Sequence, residues 1–305
     1  MTSRKVLVIG LGQLGLPAAK YLKERGFATY GYDIDSRSMK MAERNLGIAQ
    51  AVDFDSDDFD VFVICVSTHK ANDMFSPQID GLLSIARKIA REARKEGALV
   101  SIESTIPKGT SKRVFEIFNH RLHVVHVPHR WYALDEKEHG VNQLRVIGGV
   151  FECCLRAGLQ FYNGVDGSSK DKRKEYPSDV HSFSKSLRIP LHPVSNIEVA
   201  ETTKVAENAH RYLQIAFAEE LYLYCQVNNI NFPELRDALN TKWNVEILEP
   251  REGIGGHCLP KDTKMFLESS KGIRSKILTA AINVDEDYRE YRSRLGLRPE
   301  REIVV

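Results

Sequence analysis

Val6-Leu7-Val8-Ile9-Gly10-Leu11-Gly12-Gln13-Leu14-Gly15 is the stretch on which the reading of the fold turns. Four apolar residues make a short buried strand, and the glycines make a turn. An amphipathic segment follows, Ala18-Ala19-Lys20-Tyr21-Leu22-Lys23-Glu24-Arg25, and stops at Gly26. Ala28 to Tyr32 then reads as a second strand that ends in Asp33. Strand, glycine turn, helix, strand and acid within about 30 residues is the context that gives a Gly-x-Gly-x-x-Gly pattern its meaning. The first glycine makes the turn, the second admits a pyrophosphate, and the third lets helix pack on strand. Backbone N–H groups at the helix start, around Gln13 and Leu14, face the phosphates. Asp33 lies 18 residues after Gly15, where a carboxylate accepts from a ribose hydroxyl and repels a 2′-phosphate. The cofactor expected is therefore NAD, although the nearby Arg37 bears on the choice against its phosphorylated form.

The alternation continues outward. Asp60 to Val66 reads as a buried strand ending in Ser67-Thr68, and Ile79 to Ala93 has helical periodicity. Ala98 to Ile102 is a strand ending in Glu103-Ser104-Thr105, and Thr110 to Asn119 is helical. Leu122 to Val127 is a strand closed by Pro128-His129, and Arg145 to Gly149 is one more. Strands alternating with helices imply an open parallel sheet covered on both faces. Ligands in such sheets sit beyond the carboxyl ends of the strands. Asp33, Thr68, Ser104, Thr105 and His129 all fall there, although a Ser or Thr at such a place can equally cap a helix. Residues 163–178 are polar, basic and turn-rich and read as a surface excursion.

Beyond this region the pattern becomes helical. Ile197 to Asn228 contains no Gly or Pro and keeps a 3.6-residue period through Val199, Thr203, Ala206, Ala209 and Leu213. Pro233 to Asn240, Asp262 to Ser269 and Lys276 to Leu295 read as further helices. The expected fold is α/β: a Rossmann-type, doubly wound parallel sheet in a domain of residues 1–194, then an all-α domain of residues 195–305 built on the long helix. A helix of that length usually spans two domains or a dimer interface, and Phe217, Leu221 and Tyr224 supply apolar contact area for a homodimer.

With 305 residues the chain is long enough for two domains. A net charge of +2 carries no polyanion signature, which argues against nucleic acid as a partner. No apolar run approaches the length of a membrane span. The five cysteines, 65, 153, 154, 225 and 258, are odd in number and form no Cys-x-x-Cys pair, which points to reduced thiols in a cytoplasm. No histidine pairs with them at ligand spacing, so no metal is expected.

Gly253-Ile254-Gly255-Gly256-His257-Cys258-Leu259-Pro260-Lys261-Asp262 carries the chemistry. Gly-Gly ahead of Cys258 leaves the sulfur unshielded on that side. A thiol becomes a strong nucleophile as a thiolate, and His257 and Lys261 are cationic neighbours that favour it. Lys204 and Asn208 are four apart on the long helix, so they project from one face. An ammonium and a carboxamide side by side can hold an oxyanion.

The chain resembles the UDP-glucose/GDP-mannose dehydrogenase family. The likeness lies in Gly10 to Pro17, in Glu103-Ser104-Thr105-Ile106-Pro107-Lys108-Gly109-Thr110, in Lys204 with Glu207-Asn208 and Arg211, in Ile215-Ala216-Phe217 before Glu219-Glu220, and in Gly255 to Asp262. Arg145 to Gly149 after Asn142 is most similar to the UDP-N-acetylmannosamine dehydrogenase branch. The resemblance implies NAD-dependent oxidation of a nucleotide-sugar primary alcohol to the uronic acid. Cys258 would attack the intermediate aldehyde to give a thiohemiacetal and then a thioester, while Lys204 and Asn208 steady the oxyanions. Asp262 and Thr105 would position water or relay its proton.

Two departures from the family pattern matter. Pro128-His129 stands where members have Pro-Glu, so His129 is expected to serve as the base for thioester hydrolysis. Members also continue for another hundred or more residues into a nucleotide-holding domain. That domain is not in this sequence, and a separate partner chain supplying it is one expectation. Two other readings compete: a two-electron 3-hydroxyacid-type dehydrogenase that uses Lys204 and Asn208 without the cysteine, and a non-catalytic NAD-binding dimer that partners a full-length relative.

Overall fold

β1 (Lys5–Ile9), β4 (Val61–Ile64) and β7 (Leu99–Ile102) form the centre of an eight-stranded sheet. Their apolar side chains are sealed on both faces, as the unbroken hydrophobic runs require. The other strands are β2 (Ala28–Tyr32), β3 (Ala49–Gln50), β8 (His123–His126), β9 (Arg145–Gly149) and β10 (Leu191–Pro193), and the order across the sheet is β10-β9-β8-β7-β4-β1-β2-β3. This computed structural model describes residues 4–55, 58–70, 72–131, 135–164, 186–270, 272 and 274–296. Most of the expected excursion at 163–178 and the end of the chain after residue 296 lie outside the described residues.

The sheet is parallel except at one pair. β8 and β9 run antiparallel, with Val125 opposite Gly149. The expected doubly wound parallel sheet thus carries one reversed pairing, between β8 and β9. A parallel neighbour needs a crossover that returns the chain to the far edge. Between β8 and β9 the described chain has only the single turn α5 (Glu136–His139), so the strand comes back from the edge at which β8 ended.

The helices of this part are α1 (Gly15–Glu24), α2 (Ser36–Leu46), α3 (Asp80–Glu92), α4 (Thr110–Ile117) and α6 (Glu152–Asn163). α2, α6, β3 and β10 have no counterpart in the sequence-based expectations. α2 buries only Ala42, so its apolar stripe is too thin to announce a helix; Asp35 caps its start, and Gly47, at φ +57°, ends it. α6 contains Gly158, which reads as a breaker. In the fold that glycine lets α6 lie close against the sheet: a Cβ there would come within 2.8 Å of Ile147 and 2.9 Å of Val125.

The described chain divides into two compact units. Unit 1 comprises residues 1–68 and 78–203; unit 2 comprises 69–77 and 204–305. The long helix α7 (Ile197–Asn228) carries the chain from one to the other and is ~48 Å long at 1.5 Å per residue. The division by compactness falls inside α7. The division at 194/195 remains a proposal about folding units.

Unit 2 adds α8 (Phe232–Asn240), α9 (Cys258–Ser269), α10 (Lys276–Arg294) and a hairpin of β5 (His69–Lys70) and β6 (Asp73–Pro77). Its core is two small clusters, one around Tyr212, Ala216, Ile254 and Ala281 and the other around Ala218, Cys225, Phe232 and Ile247. The hairpin, absent from the sequence reading, packs against α9. Among the described residues no helix is long and apolar enough to cross a membrane.

Candidate active site

In unit 1 each of the three turn glycines answers a different steric demand. Gly10 has φ +90°, and a Cβ there would lie 2.6 Å from the Cys65 carbonyl oxygen. A Cβ on Gly15 would lie 1.7 Å from the Gly10 carbonyl oxygen, so helix and turn can meet only without a side chain. A Cβ on Gly12 would meet nothing within 4 Å. The first and third glycines are required by the protein itself, whereas the second borders open space, as expected of the one that admits a phosphate. No side chain caps the start of α1 at Leu14, which leaves its backbone donors to an anion.

Asp33 closes this turn. Its Oδ2 accepts from Leu11 N at 2.6 Å and its Oδ1 from Asp35 N at 2.8 Å. Each oxygen keeps a further lone pair for a ribose hydroxyl. Ser104 Oγ donates to the Val66 carbonyl at 2.7 Å, which ties the end of β7 to the end of β4. Thr68 is buried and Thr105 half-buried at these ends. The Thr105 loop is held by the first two turns of α7: Glu201 accepts from Gly109 N at 2.6 Å and Ser111 N at 2.7 Å, and Glu198 pairs with Lys108 and Lys112. Burial raises the Glu201 carboxyl above its usual range in spite of those donors.

His129 is 3% exposed, and its Nε2 lies against the Glu103 carboxylate. Arg145 Nη1 donates to the same oxygen at 3.0 Å, and Tyr162 OH donates to the other. Burial would push Glu103 up, but the charges of His129 and Arg145 outweigh it and bring the group down to about 2. The expected hydrolytic base thus sits within a buried ion-pair network. His129 therefore anchors Glu103, one residue before Ser104 and two before Thr105. Nothing in the local sequence pairs these residues, because the network is assembled from β7, β8, β9 and α6.

In unit 2 Cys258 is the first residue of α9, not a loop residue ahead of a helix starting at Asp262. The positive end of the helix favours a thiolate there. Gly255 and Gly256 leave the approach open, and Gly256 has φ +70°, which a side chain would strain. The sulfur is reachable by solvent yet crowded. That crowding, and then the Asp262 carboxylate, push its thiol up, while Lys261 and Lys204 oppose them. A thiol held up in this way needs a proton acceptor, and His257 Nε2 lies 3.7 Å from Sγ. The His257 ring in turn meets His69 of the hairpin edge-on, with centroids 5.9 Å apart.

Asp262 is 1% exposed, with Lys261 Nζ 2.9 Å from Oδ1 and Asn208 Nδ2 donating to Oδ2 at 2.5 Å. Asn208 and Lys204 share one face of α7, and the structure places them in one cluster with Cys258 and Asp262. It also gives Asn208 a partner: one N–H fixes Asp262, leaving the other for an oxyanion. His257, Lys261 and His69 complete the cluster. The first two were expected as cationic neighbours that favour the Cys258 thiolate; His69 had no signal.

The cysteine loop is anchored at its root. Asp285 accepts from Ile254 N at 2.9 Å, and Arg289 bridges Asp285 and the Ile254 carbonyl. Tyr212 OH donates to Asp285 at 3.3 Å.

Comparison with known proteins follows the same division. Residues 37–166 match the NAD binding domain of the UDP-glucose/GDP-mannose dehydrogenase family, and residues 198–287 match its central domain. The chain is 31% identical to UDP-N-acetyl-D-mannosamine dehydrogenase of Pyrococcus horikoshii over 88% of its own length and 65% of the relative. For the enzyme of that name in Methanococcus maripaludis the figures are 28%, 94% and 66%. The chain thus spans about two thirds of the length of these curated relatives, 65 and 66%. Among solved structures, that of the Pyrococcus horikoshii dehydrogenase superposes with a TM-score of 0.78 at 26% identity, covering 96% of this chain and 70% of the other.

Proposed function

The chain belongs to the UDP-glucose/GDP-mannose dehydrogenase family, and from that premise we propose that it takes part in the NAD-dependent oxidation of a nucleotide-sugar primary alcohol to the acid, with Cys258 as covalent nucleophile. The substrate proposed first is UDP-N-acetyl-D-mannosamine, by similarity to the two relatives. The observation that carries the reading is the cluster in unit 2: a reachable thiol at a helix start, a histidine 3.7 Å from the sulfur, two ammonium groups that favour its thiolate, and a carboxylate held by an amide.

Gly10, Gly12, Gly15, the α1 backbone donors and Asp33 would hold NAD, and two NAD molecules bound in succession would each accept one of the two hydrides that a four-electron oxidation releases. Gln13, Leu14, Thr68, Ser104 and Thr105 remain proposed members of that site. In the chemistry proposed, His257 takes the thiol proton and Sγ attacks the aldehyde carbon, so the carbonyl π bond opens to an oxyanion held by Lys204 and the free Asn208 N–H. Loss of hydride from that carbon leaves a thioester. Water then adds and gives up its proton to solvent, the C–S bond breaks, and the departing thiolate takes back the proton held by His257. Asp262, fixed on both oxygens, orients the water. His129 acts on Glu103 and the strand ends, as a positioning residue. A homodimer through α7 is proposed as well, supported by Phe217, Tyr224 and Val227, which are 56, 55 and 82% exposed along it.

The test is NADH formation over a panel of UDP- and GDP-sugars, with acid measured. The expected stoichiometry is two NADH per acid, and Cys258→Ser should abolish acid formation. Undiminished acid production by Cys258→Ser would defeat the covalent reading.

A further inference from the structure

The side chains of Cys153, Cys154 and His123 converge at a place with no part in the chemistry above. Cys153 and Cys154 stand in the first turn of α6, and His123 begins β8. One sulfur from each cysteine and one ring nitrogen all lie within 4.8 Å of one another. We propose that these three residues form a binding site for a single thiophilic d10 cation, for which Zn2+ is the probe.

The donor set has the chemistry. Two sulfurs and an imidazole suit Zn2+ or Cu+ and are poor ligands for Mg2+ or Ca2+. A tetrahedral zinc ion, with bonds of about 2.3 Å to sulfur and about 2.0 Å to nitrogen, holds such atoms roughly 3.5–3.8 Å apart. Small side-chain rotations close the present spread to that. His123 is half-buried at the start of β8, and a neutral imidazole is a ligand for such a cation. Cys154 is buried, and the backbone N–H groups of Val124 and Phe151 point at its sulfur. Cys153 is exposed, which gives an ion a way in and leaves a fourth position for water. Binding is a proton exchange with no redox step: each thiol loses its proton to solvent as its S–metal bond forms.

A second cluster, Cys65 with Glu103 and His129, meets the same distance criterion. It is already occupied electrostatically, because Arg145 pairs with Glu103 and would oppose a cation. The Cys153 site carries no such counter-charge among its three ligands. It was hidden in the sequence because the histidine lies 30 residues upstream, far from the spacing of a zinc motif. The site would clip the start of β8 to the start of α6 and so stabilise unit 1.

The experiment uses the full chain, reduced and chelator-treated, in a Cys258→Ser background that removes the other exposed thiol. Zn2+ is titrated against a chromophoric chelator, and Co2+ is added in parallel to read thiolate-to-cobalt charge transfer. One equivalent per chain is expected, with a rise in Tm. Cys153→Ser and His123→Ala should each weaken binding at least about 10-fold, the loss already seen when only a ligand's supporting partner is disturbed. Cys153→Ser alters an exposed position and should fold like the parent, with the charge-transfer band at saturating Co2+ cut to about half because one of the two thiolates remains. Stoichiometric binding that survives Cys153→Ser unchanged, or no one-equivalent binding in the Cys258→Ser background, would overturn the assignment. A vicinal disulfide formed in reducing buffer would overturn it as well.

Discussion

Glu219→Gln is expected to stabilise the second unit at neutral and alkaline pH. Glu219 is fully buried beside Asp285, and neither of its carboxyl oxygens has a hydrogen-bond partner among the described residues. Burial, and then the Asp285 charge, raise its pKa from 4.5 to about 9. A group whose folded pKa is raised binds its proton more tightly in the native state. Its contribution is therefore fully present below the unfolded value and is lost as pH rises through the folded one. Between those limits the loss is about 1.4 kcal/mol per pH unit. At about pH 7.5, some three units above the unfolded value, the ceiling is ~4 kcal/mol. Relaxation around the site reduces this, so a gain of at least ~1 kcal/mol is the expected outcome.

Glutamine keeps the shape, can donate to Asp285 and takes up no proton. Urea unfolding followed by circular dichroism from pH 5 to 9 should show the parent's stability falling with pH and a shallower slope in the variant. Because Asp285 also accepts from Ile254 N, the variant should hold the cysteine loop better at high pH. Equal slopes in parent and variant would refute the assignment of a protonated Glu219.

Gly12→Ala and Gly15→Ala should separate binding from folding. The first, bordering open space, should leave Tm within a few degrees while NAD affinity falls sharply; the second, with its Cβ 1.7 Å from a carbonyl oxygen, should prevent folding of unit 1. Glu201→Ala strands the Gly109 and Ser111 N–H groups and should cost about 2–4 kcal/mol in a denaturant melt. Asn208→Ala frees Asp262 and removes an oxyanion donor, so kcat should drop on the order of 100-fold with KM little changed, read by steady-state NADH formation.

The parts of this protein that the sequence made legible are those encoded within one element or one turn. β1, the glycine turn, α1, β2 and Asp33 declare themselves by short-range spacing. α7 does so by uninterrupted periodicity, with the same bounds in structure as in sequence. The cysteine motif was legible because its glycines, thiol and charges are consecutive. What only tertiary structure decided is which distant side chains become partners. His129 became an ion-pair anchor because Glu103, which also pairs with Arg145, reaches it from the end of the neighbouring strand. Asn208 met Asp262 across 54 residues, and His123 met two cysteines that no spacing rule connects to it. The β8–β9 pairing turned antiparallel because the chain returned from the edge it had reached. Periodicity records which face of an element is buried. It does not record what that face is buried against, and charge pairing, proton affinity and ligand sets all depend on that second fact.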